Sequence, residues 1–427
     1  MRIALPYGEE MLKAEVDWVR PLGTLDVADV PELPNIEDAI RSALERPIGL
    51  DRNIFSVVSP GETIVVLVSD MFRKTCAHQF LPILVEGLGR AGVADDAVSF
   101  LFATGTHRAP TVEEQGRILG EGVYARFRER VYVHDPCDAA NLVHFGTTSR
   151  GTPVGINRRA CEADRVIATG AVVLHYFAGY GGGRKSVLPG IASIASIAHN
   201  HAMNLDPEED RLNPAVKIGV LDGNPVAEDM REAAGHIRID YVINTVLNRN
   251  GEMAGIFAGD LDAAHRAAAE YARRLYACPI RERADLVIAS SGTAENFVQS
   301  HKALYNAFQA VKPTGRIVFL GRCKEGLGGE QLAKWLRLGS REAIIAGLRK
   351  EAEINGQTAL STIEKAPMAL FVTEMAGRDV ALLKGTKAHS LDEALELARE
   401  ALEPRDGAMP TCYLMPSASY TVPFLNG

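Results

Sequence analysis

The sequence predicts an α/β fold made of two Rossmann-like three-layer α/β/α domains with a shared active-site cleft. Short β-branched runs alternate with longer Ala/Leu/Glu-rich stretches of helical period, the pattern of parallel strands joined by crossover helices. The runs form two series with a long Ala-rich helix between them. With 427 residues, 47% hydrophobic and 23% charged, the chain is long enough to build more than one core.

In order, the first series of expected strands is TIVVLVS (Thr63 to Ser69), VSFLFAT (Val98 to Thr104), RVYVHD (Arg130 to Asp135), DRVIATG (Asp164 to Gly170) and IDYVINTVL (Ile239 to Leu247). The helix DAAHRAAAEYARRLYA (Asp262 to Ala277) follows. The second series is DLVIASS (Asp285 to Ser291), GRIVFLG (Gly315 to Gly321), MALFVTE (Met368 to Glu374) and DVALL (Asp379 to Leu383). A proline and several charges between Cys278 and Arg283 place the boundary there, giving an N-terminal domain 1–277 and a C-terminal domain 278–427. No repeat of about 20 to 50 residues is visible.

A formal net charge of -8 without long basic runs leaves no electrostatic footprint for nucleic acid, so small-molecule chemistry is favoured. The six cysteines (Cys76, Cys137, Cys161, Cys278, Cys323 and Cys412) contain no CxxC pair, which argues against a thiolate zinc site or a disulfide framework and fits a reducing cytoplasm. The start MRIALPYGEE has no export signature, and no run of about 18 apolar residues occurs, so no membrane partner is expected.

In an open α/β sheet, ligands bind outside the carboxyl ends of the strands. Asp70 and Arg73 in SDMFR follow the first of these strands, His107 in ATGTHRAP follows the second, and His175 lies just beyond the fourth. In the second half, Gln299 and Lys302 lie past the Leu286 strand, three apart on a helix that starts near Ala294 to Asn296. The two domains are thus expected to close on a shared cleft. Each residue also has a plainer reading. Asp70 reads as a helix N-cap with Arg73 its solvated neighbour, His107 as a turn residue, and Gln299 and Lys302 as helix surface. In HNH, His199 and His201 point to different helix faces, so at most one serves the site.

The densest motif is HYFAGYGGGRKSVLPGIAS, His175 to Ser193. Gly179 to Ser186 reads GYGGGRKS, which fails the Walker A pattern because Arg184 stands at the last glycine, and GxGxxG fails at the same residue. Successive small residues, including Gly182 and Gly183, still expose backbone N–H groups, and Arg184 adds a fork suited to phosphate. Lys185, beside a permanent cation, is placed to act as a nucleophile toward a cofactor.

These motifs together identify a resemblance. From ALPYG through SDxxR, TGTHR, the glycine loop, Asn200-His201 and NFVQSHKAL to EGLG (Glu325 to Gly328), the chain resembles the nickel-dependent lactate racemases and the wider group of nickel-pincer 2-hydroxyacid racemases and epimerases. The resemblance implies nickel held in a pyridinium-3-thioamide-5-thiocarboxylic acid mononucleotide, attached covalently through Lys185 and ligated by His201. It further implies His107 and His175 as acid-base residues, Arg73 and Lys302 on the substrate carboxylate, Gln299 as a substrate-side hydrogen-bonding residue, and Asp70 in the cofactor and substrate pocket. The partners implied are a small 2-hydroxy acid and the enzymes that make the cofactor. A neutral imidazole is a weak base for a C–H beside a carboxylate, so the implied route takes the hydroxyl proton on a histidine while the C2 hydrogen leaves as hydride, giving a planar 2-keto acid.

Two departures bear on the substrate. Gly182, or Gly181 by another alignment, stands where many lactate racemases place a serine. The stretch EINGQTALS (Glu353 to Ser361) lacks a tryptophan found in lactate-specific members; the only tryptophans here are Trp18 and Trp335. A longer or more polar 2-hydroxy acid is therefore compatible. Two other classes stay open at this level: a P-loop-like phosphotransferase, and a non-catalytic carrier of the nickel cofactor.

Overall fold

The computed structural model describes residues 1–351, 353–402 and 408–425. The chain divides into two compact units, one formed by Asp29–Asn204 and Asn213–Leu275, the other by Met1–Ala28, Leu205–Leu212 and Tyr276–Gly427. This differs from two consecutive domains, 1–277 and 278–427. The N-terminal residues join the later unit because the strand Arg20–Thr24 pairs in parallel with Thr411–Met415.

The unit containing residues 29–204 is built on a six-stranded sheet in the order Met253–Gly259, Tyr241–Leu247, Arg165–Ala171, Ile64–Ser69, Val98–Ala103 and Val131–Val133. All neighbours are parallel except the Met253–Gly259 edge, which is a hairpin partner of Tyr241–Leu247. From Ile64–Ser69 the chain moves outward through Val98–Ala103 and Val131–Val133, then returns to the opposite side of Ile64–Ser69 with Arg165–Ala171. The switch point therefore lies between the strands that lead into Asp70 and into His175, where a parallel α/β sheet opens a crevice.

Side-chain alternation explains why these strands are apolar almost throughout. Ile64, Val66 and Val68 enter a core shared with Phe80, Leu81 and Leu84 of the helix Ala77–Arg90, while the opposite-facing Val65 and Leu67 are buried as well.

The other sheet is wholly parallel, in the order Thr386–Ala388, Ala369–Val372, Val311–Leu320, Ala284–Ser290, Thr411–Met415 and Arg20–Thr24. Val287, Ala289, Ile317 and Phe319 pack with the helix Phe297–Ala310, whereas the alternate residues Leu286, Ile288, Val318 and Leu320 pack with the helix Leu391–Ala401. Helices thus cover both faces.

One expected strand is not a strand. DVALL lies in the helix Gly377–Leu382, with Val380 and Leu383 both buried at helical spacing and Lys384 ending it at φ 68. Its apolar residues follow the helix period, and the strand at that sheet edge is Thr386–Ala388. RVYVHD contributes only Val131–Val133. All six cysteines are free thiols. Among the described residues, no helix is long and apolar enough to cross a membrane.

Candidate active site

The carboxyl end of Ile64–Ser69 delivers Asp70 into a tight turn. One carboxylate oxygen accepts the Phe72 amide at 2.9 Å, and the other accepts His107 Nδ1 at 2.6 Å. The helix begins only at Ala77, so Asp70 is not its N-cap. Asp70 is 2% exposed, while the His107 ring is 39% exposed. A carboxylate only accepts, so His107 carries its proton on Nδ1 and its lone pair on Nε2, the tautomer a general base needs. The TGTH turn that carries His107 rests on the later proline-glycine turn, with the Gly105 amide donating to the Gly190 carbonyl at 2.9 Å. Gly190 in turn donates to the Lys185 carbonyl at 3.0 Å, which ties His107 to the glycine loop through backbone alone.

That loop leaves the strand Arg165–Ala171, forms a short hairpin between the two-residue strands Leu174–His175 and Gly179–Tyr180, and tightens into a 3-10 turn over Gly183–Ser186. Glycine is required at Gly182 and Gly183, both at positive φ. A Cβ at Gly182 would meet Asn244 Oδ1 at 2.8 Å, and one at Gly183 would meet the His265 ring at 2.5 Å. Asn244 Oδ1 accepts the Gly183 amide, and Ser186 Oγ donates to the Thr169 carbonyl.

On the front of the turn, Lys185 Nζ lies 3.4 Å from His175 Nε2 and 5.0 Å from the Phe177 ring centroid. His175 is buried, and its Nδ1 accepts from the amides of Phe177 and Ala178 at 3.4 and 3.3 Å. The Phe177 ring also stands edge-on to His175 at 4.4 Å and to His201 at 4.8 Å. Phe177 is the apolar post around which the lysine and both histidines gather.

His201 lies on the helix Ile194–Ala202 and donates from Nδ1 to the Ile197 carbonyl at 2.7 Å, so its lone pair sits on Nε2. Burial, reinforced by the nearby Lys185 charge, pulls its pKa down to about 3, which keeps the imidazole neutral. A neutral ring whose other nitrogen is fixed by a backbone carbonyl is the usual metal-ligating form. His199, two residues earlier, instead meets the Thr152 hydroxyl at 2.9 Å, so the two histidines part as helix geometry requires. Among the described residues, no group of three or more His, Cys, Asp or Glu side chains is placed to hold a metal ion.

On the back of the turn, Arg184 does not offer a phosphate fork. Its side chain is 5% exposed and pairs with Asp262 at 2.7 Å, with further contacts to the Ala227 carbonyl and His265 Nδ1 at 3.4 Å. This corrects the sequence expectation: the guanidinium is already engaged, and it anchors the loop to the helix Leu261–Tyr276. His265 Nε2 donates to the Gly181 carbonyl at 2.8 Å. The hydroxyl of Ser186 is likewise spent on a strand carbonyl, and the lysine sits in a four-residue 3-10 turn rather than at the start of a long helix. Both features disfavour a Walker-type phosphotransferase.

The remaining candidates are placed as follows. Arg73 is exposed, with its head on the Phe72 carbonyl at 3.1 Å. In the other unit, Asn296 caps the helix Phe297–Ala310 through the Gln299 amide, and Gln299 Oε1 accepts the Glu295 amide at 3.0 Å. The EGLG turn satisfies the next open donors, with Phe297 N bound to the Gly326 carbonyl and Val298 N to the Leu327 carbonyl. The ordered motifs NF and EGLG are thus halves of one helix cap, with Lys302 in its second turn. Trp335 packs against Gly356 and donates to Glu353, so a tryptophan from another helix flanks the segment that lacks its own.

Sequence reasoning did not find Phe177, His265, Asp262 or Asn244. Phe177 reads as ordinary core, and the other three lie about 60 to 90 residues from the loop with no local pattern to mark them.

The chain is similar to known lactate racemases along most of its length. The family model described as the lactate racemase N-terminal domain matches residues 7–212. A lactate racemase from Thermoanaerobacterium thermosaccharolyticum is 33% identical over 340 residues, 78% of each chain. One from Lactiplantibacillus plantarum is 32% identical over 333 residues, 77% of this chain and 76% of the relative. The structure of the Thermoanaerobacterium thermosaccharolyticum lactate racemase apoprotein superposes with a TM-score of 0.87 at 29% identity, covering 99% of this chain and 100% of that one. A crystal structure of a Thermotoga maritima protein shares the fold alone, with a TM-score of 0.67 at 17% identity and coverage of 93% and 100%.

Proposed function

The chain belongs to the lactate racemase family and is an isomerase, and from that premise we propose that it racemises or epimerises a 2-hydroxy acid with a nickel-pincer nucleotide attached to Lys185. The observation that carries this reading is the grouping of Lys185, His175 and His201 around Phe177. The residues present fit such a group: an amine for the tether and a neutral imidazole with its lone pair on Nε2 border the same phenyl ring. When bound, the cofactor supplies a hydride acceptor and donor for C2, so the substrate passes through a planar 2-keto acid.

The chain's own residues handle the proton and the carboxylate. His107, oriented by Asp70, takes or returns the hydroxyl proton at Nε2, and the carboxylate stabilises the imidazolium that forms. His175 serves the opposite enantiomer, whose hydroxyl points the other way. Arg73 is assigned to the substrate carboxylate, a charge-assisted contact that retains the intermediate while it reorients. Lys302 and Gln299 keep the carboxylate-binding and hydrogen-bonding roles that the resemblance implies. A non-catalytic carrier would need Lys185 and His201 but not the buried Asp70 carboxylate aimed at His107, and that pair favours catalysis. The cytoplasm and the cofactor-making enzymes complete the proposed setting.

The test is to mature the enzyme with the cofactor-making enzymes, measure its intact mass and follow enantiomers of 2-hydroxy acids by chiral chromatography. An adduct on Lys185, bound nickel and interconversion without solvent deuterium entering C2 are expected. An unmodified lysine after maturation, or rapid deuterium incorporation, overturns the reading.

A further inference from the structure

The two residues between Asp70 and Arg73 are large and apolar, and they lie beside a catalytic base without being buried. Phe72 is 45% exposed and Met71 37%. The Phe72 ring lies 4.9 Å from the His107 ring at 60°, and on another side the Arg108 guanidinium carbon stands 5.6 Å from its centroid. Arg108 is itself fixed, since both its terminal nitrogens reach Glu114 at 2.7 Å, and it also touches the Met71 sulfur. The Phe72 amide is held by the same Asp70 carboxylate that orients His107. Phe72 is therefore a held ring with an open apolar surface, set in fixed relation to the base.

We infer that Met71 and Phe72 form the wall against which the substrate's C2 side chain packs, and that the preferred substrate is a 2-hydroxy acid with a bulky apolar side chain rather than the methyl of lactate. The inference rests on the proposed function. A hydroxyl within hydrogen-bond reach of His107 brings C2 and its third substituent within a few ångströms of whatever stacks on that imidazole. The surface there is hydrocarbon. Arg108, over the ring, is already neutralised by Glu114, and Arg73, whose head lies on the Phe72 carbonyl, is assigned to the substrate's C1 carboxylate, so this wall favours hydrocarbon over a second carboxylate. A methyl covers little of such a surface, and each added methylene improves discrimination by about tenfold or more.

The experiment uses matured holoenzyme and compares kcat/KM for lactate, 2-hydroxybutyrate, 2-hydroxy-4-methylpentanoate and 3-phenyllactate. The two bulky acids are expected to exceed lactate by at least about tenfold. Phe72→Ala should reduce that bulky-to-lactate ratio by about tenfold, with Phe72→Leu between it and the wild type and Met71→Ala giving a smaller reduction. Because the ratio cancels any general effect on His107, a purely structural role for Phe72 would leave it unchanged. Lactate turning over as well as the bulky acids, or an unaltered ratio in Phe72→Ala, overturns the inference while leaving the racemase reading intact. If protein carrying the adduct interconverts none of the four acids, the inference is overturned, and polar 2-hydroxy acids assayed on the same protein then decide the proposed function separately.

Discussion

Arg184 and Lys185 are adjacent cations on one 3-10 turn, and they serve opposite sides of it. Lys185 faces His175 and the Phe177 ring, where chemistry is proposed. Arg184 faces the helix Leu261–Tyr276, where Asp262 takes its charge and His265 packs beneath Gly183. The front gathers an amine and two imidazoles around one phenyl ring, whereas the back is an ion pair and hydrogen bonds that tie the turn to a helix. The contrast teaches that the glycines serve to split neighbouring side chains: positive φ at Gly182 and Gly183 lets the chain reverse tightly enough to send one cation to each face.

The largest expected effect is at the front. Lys185→Ala should reduce racemisation to background and remove the adduct from the intact mass, while thermal unfolding of unmatured protein stays near the wild type. An adduct-free variant that still inverts hydroxy acids would break the division between front and back.

Next in size is Asp70→Asn. It should lower kcat by about 10²- to 10⁴-fold, because an amide no longer selects the His107 tautomer, with the adduct mass unchanged. Equal activity across the pH range would remove Asp70 from its orienting role.

Substitutions at the back should act first on stability. Asp262→Ala leaves the buried Arg184 charge without its partner and should cost about 2–3 kcal/mol in urea unfolding, somewhat below the usual penalty for a broken buried pair because Asp262 is itself partly exposed. No change in unfolding alongside a lost adduct would show that the back takes part in chemistry directly.

The smallest effect sharpens the same point through pH. Burial, aided by the Arg184 charge, lowers the His265 pKa to about 4 from 6.5. Between those values the unfolded chain binds the proton and the folded chain does not, so this stabilising contribution is full above the unfolded pKa and is lost as pH falls toward 4. From pH 7 to pH 5 the loss is about 2 kcal/mol. His265→Asn keeps a donor for the Gly181 carbonyl but does not titrate, so its urea unfolding should lose about that much less over the same interval.

Much of the fold was legible because parallel strands buried on both faces leave apolar runs that alternate with helical periods. DVALL misled because a short apolar run carries both periods, and burial of Val380 with Leu383 selects the helix. The N-terminal strand Arg20–Thr24 left no signal of its place, since its pairing with Thr411–Met415 spans almost the whole chain. Of the candidate site, Asp70, His107, His175, Lys185 and His201 stood out because each lies in a dense motif at a strand end or on the helix that follows it. The role of Arg184 did not, because a phosphate fork and a structural ion pair look alike until Asp262 is seen beside it.

By itself the sequence determined the α/β class, the order of most strands and the family's motifs, since these depend on side-chain period and on short spacings along the chain. Only the tertiary structure decided the tautomers of His107 and His201, the separate fates of Arg184 and Lys185, and the open face of Phe72. Each of those depends on a neighbour supplied from elsewhere in the fold or on a particular turn geometry, and on how much water is left around the group. Distance in space and solvation are quantities that spacing along the chain does not encode.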